Sequence, residues 1–177
     1  LQYNLTAGHS FLPEDKLLMA TAQLLSVEPE PVRAEEEALL EAQRLVRNQL
    51  AGITVIYLPE LHEAECYCAL RLLQFAADQY PAPKRLDAMM KNIARDSGVA
   101  YSPRQEQAIR EAAQNGLLLI TGGPGTGKTT ILNGILSLYA QMDLQCVLAA
   151  LTGRAAKRLT EVTGRDASTI HPLLEAA

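Results

Sequence analysis

The chain contains no tryptophan, and only 5% of its 177 residues are aromatic. Large rings cannot fill its interior, so the 48% of hydrophobic residues predicts an aliphatic core. No run of about 18 apolar residues occurs, and no charged-then-apolar leader opens the chain. The reading that follows has neither a membrane span nor a signal peptide, no membrane partner, and a cytoplasmic location. Cysteine is scarce too: Cys66, Cys68 and Cys146 are an odd number. Cys66 and Cys68 lie on a helical stretch where neighbouring side chains diverge, which predicts buried free thiols rather than a disulfide or a zinc site. A basic excess is also missing, since the net charge is −4. Taken alone, that argues against a nucleic-acid partner. The distribution is more informative: residues 1–83 carry 5 Lys/Arg and 12 Asp/Glu, whereas residues 84–177 carry 11 and 8. An acidic first half and a mildly basic second half suggest two modules with different tasks.

What the second module does contain is the run Gly122, Gly123, Pro124, Gly125, Thr126, Gly127, Lys128, Thr129, Thr130. This is the complete G-x-x-x-x-G-K-[ST] pattern of a phosphate-binding loop. It follows the apolar Leu117–Ile120, read as a strand, and precedes Ile131–Tyr139, whose apolar residues recur at helical spacing. Glycines suit such a loop because backbone N–H groups must converge on an anion, and side chains would block its approach. A helix starting near Lys128 adds unpaired N–H groups and the positive end of its dipole. Lys128 can then reach β- and γ-phosphates, and the Thr129 hydroxyl can ligate Mg²⁺, so ATP and Mg²⁺ are the cofactors this stretch predicts.

From the amino end, Pro13-Glu-Asp-Lys16 predicts a helix start, and Ser26–Pro31 a break. Val32–Leu50 reads as a second helix on the spacing of Leu39, Ala42 and Val46, and Ile53–Leu58 as a short strand. Helices followed by a strand outline a winged-helix-like unit. Glu28–Glu41 is acidic where a DNA-reading helix would carry Arg and Lys, which favours a packing or protein-docking module over DNA binding. Pro59–Gln79 reads as the most regular helix, with Leu61, Ala64, Cys68, Leu72 and Phe75 as one stripe at steps of three and four and His62 solvated. Pro81-Ala-Pro83 marks a module boundary, and Leu86–Ala94 a further helix closed by Ser97-Gly98.

Ser102 and Pro103 then predict a helix start, placing Gln105 in its first turn and Ile109 and Ala112 on a buried face. A glutamine amide offers one donor group and one acceptor, the complement of adenine N6 and N7. After the phosphate-loop helix, Gln145–Leu151 reads as a second buried strand that runs through Thr152 and Gly153 into a helix carrying Arg154, Lys157 and Arg158 outward. A hydroxyl and an arginine where a strand meets a helix N-terminus are again a place to hold phosphate. Thr169-Ile-His171 begins a last short helix.

Gln105 with Ala108, Gly122–Thr130, Leu148–Leu159 and Thr169-Ile-His171 together resemble the opening motifs of the RecD-like superfamily 1 DNA helicases, the exodeoxyribonuclease V alpha-subunit family. Gly8–Pro13 and Ile56–Glu65 resemble the helical module that stand-alone members place before the motor. The resemblance implies an α/β chain in three parts: a helical, winged-helix-like module over 1–58, a helical connector over 59–100, and the N-terminal half of a RecA-like P-loop NTPase domain over 101–177. It implies ATP-driven movement on single-stranded DNA and duplex unwinding in recombination or repair, and other recombination or repair proteins as partners. Gln105 would read adenine, Lys128 and Thr129 would serve phosphate and magnesium, and Thr152, Gly153, Arg154 and His171 would lie along DNA. Leu151 and Pro172 depart from the family pattern, which commonly has proline and a basic residue there. Another phosphate-loop ATPase or a kinase is the alternative enzyme class. With a start at Leu1 and a stop at Ala177, the chain reads as a piece of a longer polypeptide, inactive by itself and prone to self-association through unpaired strands.

Overall fold

The computed structural model describes residue 1 and residues 8–175. Contacts divide the chain into two units, Leu1–Leu73 and Gln74–Ala177, with the division inside a long helix.

The first unit runs β1 (Phe11–Pro13), α1 (Glu14–Leu25), α2 (Pro29–Glu41), β2 (Val46–Leu50), β3 (Ile53–Tyr57) and the start of α3 (Pro59–Ala77). Its three antiparallel strands lie in the order β1-β3-β2, with Phe11 opposite Tyr57 and Leu50 opposite Ile53. Two helices inserted between the first two strands of such a sheet make a winged-helix-like topology. As expected, Glu14 and Asp15 occupy the first turn of α1, where acids favour the helix dipole. The expected second helix over Val32–Leu50 is corrected. It begins earlier, with Pro29 in its first turn, and ends at Glu41, and Val46–Leu50 is a strand. Gln43 takes a left-handed conformation (φ 57°), and the Arg44 and Leu45 amides both return to the Leu39 carbonyl. That closure halts the helix although the apolar spacing continues. The two-residue turn at Ala51-Gly52, both at positive φ, then folds β2 onto β3 with the twist a hairpin needs.

Leu18 and Ala22 of α1 pack over Val55, Ile56 and Tyr57, all buried, as the unit's small core. Arg47 of β2 pins the helices from the rim, pairing with Glu14 at 2.7 Å and Glu37 at 2.6 Å. The Tyr57 hydroxyl donates to Glu65 Oε2 at 2.9 Å, and Ser10 donates to the other oxygen of that carboxylate. His62, expected in solvent, is half-buried, edge-on to the Tyr57 ring with centroids 5.1 Å apart. Helix α3 forms where Pro59 predicted it, and no residue of it is buried. Cys66 and Cys68 on it are free but exposed, which corrects their expected burial.

The second unit continues with α4 (Leu86–Ser97), α5 (Pro103–Ala112), α6 (Lys128–Gln141), β4 (Leu148–Ala150), α7 (Gly153–Thr163), β5 (Ala167–Thr169) and α8 (Ile170–Glu175). Its core is helical: Met90 and Ile93 of α4, Ile109 and Ala112 of α5, and Ile131, Ile135 and Leu138 of α6 close on one another. The Tyr139 hydroxyl donates to the Ala112 carbonyl at 2.7 Å and fastens α6 to the end of α5. The strand expected over Gln145–Leu151 shortens to β4, which pairs in parallel with β5, so that Ala150 lies opposite Thr169. The strand expected over Leu117–Ile120 is corrected: among the described residues it joins no ladder, and Leu119 is 79% exposed. A strand is held by hydrogen bonds to neighbours, and the parallel sheet described here contains only β4 and β5. No described helix is long and apolar enough to cross a membrane.

Candidate nucleotide-binding site

The site grows from the junction of α5 and α6. Ser102 caps α5, its hydroxyl accepting the Gln105 amide at 3.4 Å, while Gln105 Oε1 accepts the Ser102 amide at 2.9 Å. This reciprocal box satisfies two otherwise unpaired donors and holds the Gln105 side chain in one place. Gly134 lets α5 and α6 approach closely, since a Cβ there would stand 2.4 Å from Ile109 Cδ1.

Helix α6 begins at Lys128 behind Gly127, which sits at φ 82° and supplies no side-chain cap. The first amides of α6 are thus left without a cap, the arrangement that receives an anion. Gly127 is required twice over: its backbone is left-handed, and a Cβ there would lie 2.3 Å from Gln105 Nε2. The glutamine and the phosphate loop, about 20 residues apart in sequence, therefore meet in space. Within the loop, Thr126 Oγ1 donates to the Gly123 carbonyl at 2.9 Å. Lys128 Nζ folds back to donate to the carbonyls of Gly122 and Gly123, both at 2.6 Å. The loop thereby satisfies its own cation.

Gln105, Gly122, Thr126 and Lys128 line one cavity of about 570 Å³, in the range of small-ligand sites. Arg104 and Thr121 line it as well and were not singled out in the sequence. Arg104 adjoins Gln105 in the first turn of α5, and that adjacency was the available signal. Gly123, Pro124, Gly125 and Thr129 are exposed and Thr130 is half-buried, all in or directly after the loop.

Thr152 caps α7, its hydroxyl accepting the Ala155 amide at 3.3 Å, so the hydroxyl expected on phosphate is engaged in a cap here. Gly153 and Arg154 follow in the first turn, exposed. His171 lies on α8, also exposed. Because β4 and β5 are parallel and in register, Thr152 and His171 both follow the carboxyl ends of adjacent strands and share one end of the sheet. Asn133 Nδ2 donates to the Val162 carbonyl at 3.1 Å, and Arg165 to the Leu136 carbonyl at 3.1 Å, tying α7 and its following turn to the phosphate-loop helix. No group of three or more His, Cys, Asp or Glu placed to hold a metal occurs among the described residues.

A family model described as an AAA domain matches residues 105–177, the stretch from the α5 glutamine onward. The chain is 33% identical over 95% of its length to the ATP-dependent RecD2 DNA helicase of Deinococcus radiodurans. It is 30% identical over 90% of its length to the RecBCD enzyme subunit RecD of Mycobacterium tuberculosis. Over most of its length the chain is thus similar to DNA helicases of the RecD type. A shorter match, 39% identical over 39% of this chain and 16% of the relative, is to the ATP-dependent DNA helicase dda of bacteriophage T4. The chain spans about a quarter of the RecD-like relatives it matches, 24% of the first and 26% of the second.

Proposed function

We propose that residues 101–177 form the N-terminal part of a RecA-like motor domain that binds ATP and Mg²⁺, with a connector over 59–100 and the winged-helix-like module before it. The motor would serve an ATP-dependent DNA helicase that steps along single-stranded DNA and opens duplex in recombination or repair. The observation that carries this reading is the close approach of Gln105 to Gly127, with Gln105 and Lys128 lining one cavity. A base reader beside a phosphate loop is what an adenine nucleotide requires, and a lone glycine-rich turn has no use for it.

ATP with Mg²⁺ supplies the cleavable phosphoanhydride and a cation that offsets phosphate charge. The residues of this chain bind and orient. Lys128 Nζ exchanges the Gly122 and Gly123 carbonyls, which hold it at 2.6 Å, for phosphate oxygens, trading neutral acceptors for charged ones. The amides of the loop and of the first α6 turn would donate to the same anion, and the exposed Thr129 hydroxyl would ligate the metal. Gln105 keeps Oε1 on the Ser102 amide and offers Nε2 to adenine N7. Its donor is therefore uncommitted within the capping box. Thr152, Gly153, Arg154 and His171, at one end of the β4–β5 pair, are the residues proposed along the DNA backbone, with Arg154 supplying the charge.

The test uses the full-length protein. Charge-assisted hydrogen bonds contribute about 1.5–3 kcal/mol, so Lys128→Ala is expected to weaken binding of a fluorescent ATP analogue about 10- to 100-fold, and single-stranded DNA should stimulate ATP hydrolysis by the wild type. Unchanged affinity in Lys128→Ala overturns the site. ATP turnover indifferent to single-stranded DNA overturns the motor and points to a kinase or another phosphate-loop ATPase.

A further inference from the structure

The chain that leaves α3 lies antiparallel to the chain that leaves α5, with Gln79 opposite Asn115. Two backbone hydrogen bonds close this clasp: the Tyr80 amide donates to the Gln114 carbonyl at 2.8 Å, and the Gly116 amide donates to the Asp78 carbonyl at 2.9 Å. Both sides are fastened behind it. The Asp78 amide returns to the Phe75 carbonyl at 3.2 Å, and the Gln114 and Asn115 amides return to the Glu111 carbonyl at 3.0 and 3.1 Å. The approach at Gly116 is close, since a Cβ there would stand 2.5 Å from the Phe75 carbonyl oxygen and 2.8 Å from Asp78 Cβ. Past Gly116 the main chain has no such hold. Among the described residues, no backbone–backbone hydrogen bond engages residues 117–126, and the packing of Leu118 and Ile120 holds that stretch to the helical core. The clasp is therefore the nearest main-chain anchor upstream of the phosphate loop.

We propose that this clasp positions the phosphate loop, with Gly116 and Tyr80 as its positioning residues, and that clasp closure and nucleotide binding are coupled. The inference rests on the nucleotide reading of the loop. Loop amides grip an anion when they converge on it, and a loop whose entry drifts spends less time converged. Affinity falls with the fraction of molecules in the competent arrangement. Coupling is reciprocal, so whatever factor clasp closure adds to nucleotide affinity, bound nucleotide adds to clasp closure. Neither Tyr80 nor Gly116 lines the nucleotide cavity, so both act through position and not through contact.

The test combines steady-state ATP hydrolysis by the full-length protein, with single-stranded DNA present, and amide exchange. Tyr80→Pro deletes the donating amide, and Gly116→Ala forces the two segments apart. Each is expected to raise KM for ATP about 2- to 10-fold, the fold-change that one lost hydrogen bond corresponds to, with kcat within about twofold of wild type. Tyr80→Ala keeps the amide and should match the wild type. Damage to the fold would lower kcat through the loss of active molecules and leave KM alone. In the unmodified protein, exchange at the Tyr80 and Gly116 amides should slow when a non-hydrolysable ATP analogue binds. Unchanged KM in both Tyr80→Pro and Gly116→Ala, a Tyr80→Ala defect equal to that of Tyr80→Pro, or exchange at both amides indifferent to bound analogue each overturns the proposal. Failure of the wild type to bind the analogue overturns the nucleotide reading itself, and this inference with it.

Discussion

Replacing Gly134 with alanine sets two effects of known sign against each other. Gly134 lies mid-way along α6, where glycine costs about 1 kcal/mol relative to alanine, so on propensity alone the substitution stabilises. Packing opposes it. The new methyl would stand 2.4 Å from Ile109 Cδ1, 3.0 Å from Ile109 Cγ1 and 3.2 Å from the Tyr101 hydroxyl, and Ile109 is fully buried, so any shift must displace packed neighbours. Overpacking of this kind costs about 1–3 kcal/mol, so the net expectation is a loss of up to about 2 kcal/mol after the propensity gain of about 1 kcal/mol. Ile109→Val removes the clashing Cδ1. By itself it should cost about 0.5–1.5 kcal/mol through the cavity it leaves, and in the Gly134→Ala background it should cost less or become favourable. Urea unfolding followed by far-UV circular dichroism measures all four corners of the cycle. Because the chain has two units, amide exchange within α6 is needed to attribute the change. Parting α5 from α6 also shifts Gln105 against Gly127, so ATP affinity should fall with stability. A more stable Gly134→Ala protein, or an Ile109→Val cost identical in both backgrounds, refutes the reasoning.

Gly127→Ala should do more damage to nucleotide binding than to overall stability. It forces a left-handed alanine at φ 82° and drives a methyl into the Gln105 amide, so amide exchange at the start of α5 should quicken as the Ser102 box opens. Removing the clash with Gln105→Ala should not restore ATP affinity, since the backbone penalty persists. Tyr57 gives a pH signature in the first unit. Burial first, then its hydrogen bond to Glu65, pushes the phenol up to about 12. A folded value raised above 10 contributes stability that is complete below that pH and is lost as pH climbs through about 12. Spectrophotometric titration should show a late ionisation step that Tyr57→Phe removes; a wild-type step at 10 would contradict the burial argument.

The local features of the site were legible in the sequence because each is closed within a few residues. The glycine-lysine-threonine loop, the start of α6 behind it, the Ser102 cap and the placement of Gln105 one turn into α5 rest on backbone geometry that particular residue types impose nearby. Proline at the starts of α3 and α5 and glycine after α4 likewise mark boundaries by fixing φ or permitting the left-handed region. The helical reading of Val46–Leu50 failed for the converse reason. Apolar spacing continues through that stretch, while the left-handed turn at Gln43 and pairing with Ile53–Tyr57 decide the outcome. The short strand β5 gave no signal at all, since three residues of mixed polarity become a strand only by lying beside β4.

The sequence by itself determined that this chain carries the phosphate-loop pattern, because glycine, lysine and threonine at that spacing leave the backbone few other uses. Only the tertiary structure decided that Gln105 reaches Gly127, that Leu117–Ile120 joins no ladder among the described residues, and that Glu36 is buried with neither oxygen partnered among the described residues. The physical reason is range. Caps and turns are settled by neighbours along the chain, whereas ladders, buried charges and meeting side chains depend on atoms that folding alone brings within a few ångströms.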